Sequence, residues 1–356
     1  MLDNIARIKK FDTGRVAESI EMLPLQMKQV LDEARLIKIP ASYSKIDHVV
    51  INGMGGSGLG THIIKAAFAD QIKVPISLTP GYEVPANVNK NTLYVLSSYS
   101  GTTEEVLSVY QEVKKRKAKI IAIVSKGNSK LEKLMIKDNI PGYIFKPQFN
   151  PSNQPRLGLG YSIFGMLVLF AKTGLFKIDV ADFERVITNL ELRGKSLRPQ
   201  EEEKINPAKK IAQRLFGRLP ILVAGEFLIG NLHAFRNQIC ENSKNFATYL
   251  ILPDLNHFAM EGLANPASNK KDLIFLFFES AFYQDRLKKR VELTDQVVKK
   301  NKIDTVMHEL KGETKVEQVF ELLQLGTWIS FYLGILNQVD PVQIKWVDWF
   351  KKKLDE

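Results

Sequence analysis

A single cysteine, Cys240, in a chain of 356 residues leaves nothing for an intrachain disulfide to join and excludes a metal site built from several thiolates. Histidine is almost as scarce. His48, His62, His233 and His308 stand in no His-x-x-x-His or His/carboxylate cluster, so no metal is expected. The opening residues, Met1-Leu-Asp-Asn-Ile-Ala-Arg-Ile-Lys-Lys10, carry no apolar h-region or cleavage pattern, and no apolar run reads as long enough to span a membrane. Even the apolar stretch from Tyr161 to Leu169 is soon followed by Lys172 and Gly174. The expectation is a cytoplasmic protein with no membrane partner. Positive charge is plentiful, at a formal net +11, but it is spread over helix faces such as Val113 to Lys119 and the terminal Lys351-Lys-Lys353. It lacks the arginine–aromatic interleaving on which single strands stack, so nucleic acid is not expected either.

What is present is the composition of a soluble globular protein, 45% hydrophobic and 25% charged, long enough for two domains. The chain is organised around Ser97-Ser-Tyr-Ser-Gly-Thr-Thr-Glu104. This stretch follows the apolar run Thr92 to Leu96 and precedes Val106, Val109, Tyr110 and Val113 at helical spacing. A strand therefore delivers a hydroxyl-rich loop to a helix N-terminus, where unpaired N–H groups and the helix dipole favour an anion. The predicted ligand is a phosphate monoester. The plainer alternative is a capping box between Thr102 and Glu105.

Residues 1 to about 45 read as a helical lead-in, with Pro24 in the first turn of a helix. A first strand, Asp47 to Asn52, runs into Gly53-Met-Gly-Gly-Ser-Gly58, a second anion-binding turn. Glycines 53, 55 and 58 match Gly-x-Gly-x-x-Gly, yet no acidic residue closes a second strand about twenty residues on, which weighs against a dinucleotide. Strands at Val74 to Leu78, Lys119 to Val124 and Tyr143 to Phe145 alternate with helices. That alternation implies a doubly wound parallel α/β sheet with ligands at the carboxyl ends of its strands. Prolines 147, 151 and 155 then restrict the backbone and present Arg156, a residue able to grip a phosphate, a carboxylate or an oxyanion.

The charged stretch Arg193 to Pro207 is the best domain boundary, dividing the chain into 1–195 and 196–356. Strands at Pro220 to Ala224, Thr248 to Leu252, Asp272 to Phe278 and Thr305 to Glu309, with a long helix from Val316, repeat the first half in outline without its hydroxyl loop. In this half Glu241 lies near a helix C-terminus and His257 in a loop after a strand; carboxylate and imidazole are the groups that move protons at neutral pH.

Gly53-Met-Gly-Gly-Ser-Gly58, Ser98-Tyr-Ser-Gly-Thr-Thr-Glu104, Gln154-Pro-Arg156, Glu241-Asn-Ser-Lys244 and Leu255-Asn-His257 occur in an order that resembles the bifunctional phosphoglucose/phosphomannose isomerases of the sugar-isomerase (SIS) domain superfamily. The similarity runs from about residue 15 to the C-terminus. The resemblance implies two flavodoxin/Rossmann-like SIS domains with helical terminal segments, phosphate loops in the first and acid/base residues in the second. It implies a homodimer that interconverts fructose 6-phosphate with glucose 6-phosphate and, as the open case, mannose 6-phosphate. The phosphate would rest on Gly56, Ser57, Ser98, Ser100, Thr102 and Thr103. His257, acting across the subunit interface, would open the ring with Lys351 assisting, Lys345 and Lys352 lying near it. Glu241 would shuttle the proton through a cis-enediolate and Arg156 would meet its charge, with no cofactor. The alternatives are a non-catalytic sugar-phosphate sensor and an SIS isomerase for another sugar phosphate.

Overall fold

The computed structural model describes residues 1–354 and residue 356. Strands β1 (His48–Gly53), β2 (Ile76–Leu78), β3 (Thr92–Ser98), β4 (Lys119–Ser125) and β5 (Gly142–Phe145) form a parallel sheet in the order β2-β1-β3-β4-β5. Strands β6 (Leu219–Gly225), β7 (Thr248–Leu252), β8 (Leu273–Glu279) and β9 (Asp304–Glu309) form another in the order β7-β6-β8-β9. The second sheet repeats the first four positions of the first, so the similarity of the halves extends to their winding. The order 2-1-3-4-5 is that of flavodoxin-like sheets, whose ligand crevice opens where the order reverses, between β1 and β3.

Covered faces explain the strand sequences. Val49 to Ile51, Leu93 to Leu96 and Ile121 to Val124 are buried on both sides of the pleat, and continuous apolar runs are what such strands need. Edge strand β2 keeps only three residues, with Pro75, which has no N–H, outside it.

One apolar core runs from the first sheet to the second through the helices Leu23–Glu33, Gly55–Ala67, Leu159–Lys172, Ile229–Gln238 and Lys315–Leu336. A smaller cluster, including Tyr94, Leu96, Val106 and Val113, covers the outer face of the first sheet. The helix Lys315–Leu336 corrects the expectation that no run reaches membrane-spanning length: it is long and apolar enough. Its most apolar window is 94% buried inside the protein, and a helix apolar on all sides is the core helix of a large fold. The stretch 195–206 is tied down by the fully buried Lys209, whose Nζ donates to the carbonyls of Pro199 (2.9 Å) and Glu201 (2.6 Å) and pairs with Asp3 at 3.0 Å.

Helices Gly55–Ala67 and Ile229–Gln238 form the seam between the halves, and there the rings of His62 and His233 lie 3.7 Å apart. Burial, with the charges of Lys65 and Arg236, lowers the pKa of His62; burial, His62 and Arg236 push His233 from 6.5 down to about 4. Because the folded values lie below the unfolded one, the unfolded chain takes up protons first as pH falls. Stability is therefore expected to decline from pH 6.5 toward pH 4, a trend that thermal melts across that range would reveal, and that His233→Phe is expected to flatten.

Candidate active site

At the carboxyl end of β1 the chain turns through Met54 into the helix Gly55–Ala67, and no side chain caps that helix start. Ser57 binds this turn to the loop after β3: its Oγ accepts the N–H of Tyr99 at 2.8 Å, while Ser97 Oγ donates to its carbonyl at 3.0 Å. Within the second loop, Ser98 Oγ lies 2.6 Å from Thr103 Oγ1 and accepts the N–H of Gly101 at 3.0 Å. Thr102 donates its N–H (3.3 Å) and hydroxyl (3.1 Å) to Ser100 Oγ. Gly101, at φ +67°, sits where a Cβ would meet Ser129 Oγ at 1.9 Å, so the tight turn needs glycine twice over. The capping box does not form. Thr103, not Thr102, is the N-cap of the helix Glu104–Ser108, and its hydroxyl turns back to Ser98 instead of binding the helix. All five predicted hydroxyls therefore cluster at one edge of the first sheet, with Ser100 and Thr102 exposed and Ser57 and Ser98 buried.

Gly56 joins this cradle to Arg156. A Cβ there would lie 2.9 Å from the nitrogen of Arg156 and from the carbonyl carbon of Pro155, so the two backbones touch. The turn Pro155–Leu157 is held by Asn150, whose Nδ2 donates to Gln154 O (2.9 Å) and to the Tyr99 hydroxyl (2.8 Å). The guanidinium itself is only 2% exposed. Its Nε donates to Asn242 Oδ1 (2.7 Å), and Nη1 to Gln154 Oε1 (2.8 Å) and Glu241 Oε2 (3.3 Å). Nη2 donates to the carbonyls of Pro341 (2.7 Å) and Val342 (2.9 Å). Every one of its five donors is engaged, which is how a buried arginine is tolerated.

Glu241 lies in a π turn, Ile239–Ser243, that extends the helix Ile229–Gln238; such turns are frequent at functional sites. Asn242 fastens the turn to the core helix by donating to Ser330 Oγ at 2.9 Å. The Glu241 side chain is 28% exposed. Burial pushes its carboxyl above the ordinary glutamate range, opposed by the charges of Arg156, Lys244 and Lys351. Lys351 stands on the exposed helix Lys345–Leu354, and of the three candidate lysines it is the one whose charge bears on Glu241. Between this helix and the π turn opens a cleft of about 790 Å³, lined by Cys240, Glu241, Lys244, Phe246 and Trp346.

His257 is not brought to this cluster within one chain. It ends the turn Asp254–His257, is exposed, and among the described residues forms no hydrogen bond or ion pair with Glu241, Arg156 or the hydroxyl loops. The topology explains why. The helix Ile229–Gln238 runs back along the sheet from the end of β6, which leaves Glu241 where β7 begins and His257 where it ends. The five residues of β7 alone separate the two ends by ~16 Å. Reading the sequence also gave no role to Gln154, Asn242 or Lys244, although each sits inside a quoted motif, and the carbonyls of Pro341 and Val342 carry no side-chain signal at all.

Residues 204–354 match the family model described as the bacterial phospho-glucose isomerase C-terminal SIS domain, and residues 42–138 match the SIS domain model. A bifunctional phosphoglucose/phosphomannose isomerase from Caldicellulosiruptor bescii is 34% identical over 95% of this chain and 98% of its own. One from Aquifex aeolicus is 29% identical over 86% of this chain and 90% of its own. The crystal structure of a hypothetical protein from Thermus thermophilus superposes with a TM-score of 0.77 at 15% identity, over 98% of this chain and 93% of that one, a likeness of fold. The 34% identity to the Caldicellulosiruptor protein, over nearly the whole of both chains, establishes that this chain belongs to the bifunctional phosphoglucose/phosphomannose isomerase family.

Proposed function

We propose that the protein interconverts fructose 6-phosphate with glucose 6-phosphate and mannose 6-phosphate, working as a cytoplasmic homodimer built from SIS domains at 1–195 and 196–356. The observation that carries this reading is the contact of Glu241 with Arg156 beside the hydroxyl cradle. A cradle of Ser57, Ser98, Ser100, Thr102 and Thr103, with the backbone at Gly56, suits a phosphate monoester, and holding that remote group supplies binding energy for the reacting carbons. Glu241 takes the proton from C1 of the open ketose and returns it at C2, while the hydroxyl proton passes between the two oxygens of the cis-enediolate. The longest of the Arg156 hydrogen bonds is the one to Glu241. When the carboxylate turns to the substrate, that N–H is released toward the enediolate oxygen, where a preoriented donor is worth most.

The same reading assigns ring opening to His257 of the partner subunit, with Lys351 assisting. The strand between His257 and Glu241 supports an arrangement across two chains. So does the helix Lys345–Leu354, which presents Trp346 (71% exposed), Val347, Trp349 and Phe350 to solvent beside the cleft. The test is purified protein given fructose 6-phosphate, with glucose 6-phosphate and mannose 6-phosphate followed separately. Formation of either product is expected, and their ratio reports the epimer preference. Protein that binds the sugar phosphate and yields neither overturns the reading.

A further inference from the structure

Lys244 has no part in the chemistry described above, yet it is folded into the middle of it. It follows the π turn in the left-handed conformation, φ +53°, which turns its side chain back over the turn. Its Nζ donates to the carbonyl oxygen of Glu241 at 2.9 Å and to that of Asp340 at 2.5 Å. Asp340 is itself fixed, its carboxylate accepting from Thr13 Oγ1 at 2.5 Å and from the N–H of Val342 at 2.9 Å. The next two carbonyls along, Pro341 and Val342, are the ones that clamp Arg156. The contacts close a ring: Glu241 to Arg156, Arg156 to the 341–342 carbonyls, along the chain to Asp340, and through Lys244 back to the Glu241 backbone. Arg156 has no donor left to adjust, whereas an ammonium has three and Lys244 uses two, on the exposed side of the ring.

We propose that Lys244 is a positioning residue for the isomerisation, locking the turn that carries the base onto the turn that clamps Arg156. The inference rests on the isomerase reading. The charged groups facing Lys244 are Glu241 from its own turn, Arg156 from the turn at 155–157 and Asp340 from the segment after the core helix. Cys240 and Lys345 line the same cleft. Partial desolvation against the cleft wall, reinforced by Arg156, pushes the ammonium down to about 8, against the pull of Asp340 and Glu241, while the side chain keeps an exposed face. As pH rises through that value the lysine loses its charge and its strongest hydrogen bonds, and the lock loosens.

Steady-state kinetics on fructose 6-phosphate from pH 6 to 10, for wild type, Lys244→Met and Lys244→Arg, test the proposal, with thermal melts on all three. Lys244→Met is expected to lower kcat about tenfold or more with KM changed less than about twofold, because a misdirected base slows the chemical step without touching the phosphate cradle. Lys244→Arg, permanently charged, is expected to restore most of kcat and to carry the alkaline limb upward by about one pH unit or more. Wild-type kcat in Lys244→Met, or a Lys244→Arg limb that coincides with the wild-type limb, overturns the proposal and leaves the isomerase reading standing. If Lys244→Met does not fold, the same kcat-against-KM split read on Lys244→Gln decides. A wild type without turnover sinks both readings together.

Discussion

Glu241→Gln is expected to reduce turnover of fructose 6-phosphate by about 10²–10⁴-fold, the usual worth of a positioned general base, while leaving binding of the sugar phosphate nearly intact. The amide matches the carboxylate in shape and still offers an oxygen to Arg156, so the turn Ile239–Ser243 keeps its place; what is lost is the capacity to hold a proton. The pH profile sharpens the test. The base works only when ionised, and burial raises its carboxyl above the ordinary glutamate range despite Arg156, Lys244 and Lys351. Activity should therefore fall, as pH is lowered, at a higher pH than an exposed glutamate would give, and the residual activity of the variant should lack that acid limb. Turnover within a few-fold of wild type would remove Glu241 from the reaction and leave its ion pair a structural one.

Arg156→Met and Arg156→Lys carry the second large effect, and it reaches stability as well as turnover. Removing the guanidinium leaves Asn242 Oδ1, Gln154 Oε1 and the carbonyls of Pro341 and Val342 without that donor, beside a carboxylate stripped of its cation. Breaking a buried pair in this way costs about 3–5 kcal/mol, so chemical denaturation should show a lowered midpoint for Arg156→Met. Lysine restores a charge but offers three donors from one point where a planar fork of five is needed, so Arg156→Lys is expected to recover part of the stability and little of the rate. The acid limb should also move further up in Arg156→Met, because the positive charge that lowers the Glu241 pKa is gone. A denaturation midpoint equal to that of wild type in Arg156→Met would show that the clamp contributes nothing to folding.

Much of this site is written locally. The runs Val49 to Ile51 and Leu93 to Leu96 become strands because buried parallel sheets require continuous apolar sequence, and the glycines and hydroxyls that follow them can hardly serve elsewhere. What stayed hidden depends on groups distant in the chain. Little between Pro147 and Arg156 reveals that the arginine is buried, since four of its five acceptors, on Glu241, Asn242, Pro341 and Val342, lie 85 to 186 residues away. The Thr102–Glu105 pattern fits a cap by spacing alone, but the helix is capped one residue later, at Thr103, while the Thr102 hydroxyl binds Ser100 and the Thr103 hydroxyl lies against Ser98. In the helix Lys315–Leu336, Glu317, Gln318 and Gln324 interrupt the apolar run to the eye, yet all three are buried and hydrogen-bonded or packed inside the core. The separation of Glu241 from His257 follows from the direction in which one helix returns along a sheet, which spacing cannot convey.

The helix Lys315–Leu336 has one further consequence. It packs against the helix Val180–Gly194 from the first half, against Pro207–Leu215 from the second, and against the π turn of Glu241. Two halves that both pack on this one helix are expected to move little against each other around the sugar, since a hinge between them would have to break or slide the contacts made along it. The spacing between the hydroxyl loops and Glu241 is then expected to be set when the chain folds, leaving movement around the cleft to parts outside that helix: the loop before β3, where the Tyr82 hydroxyl donates to Glu104 at 3.3 Å, and the terminal helix over the cleft.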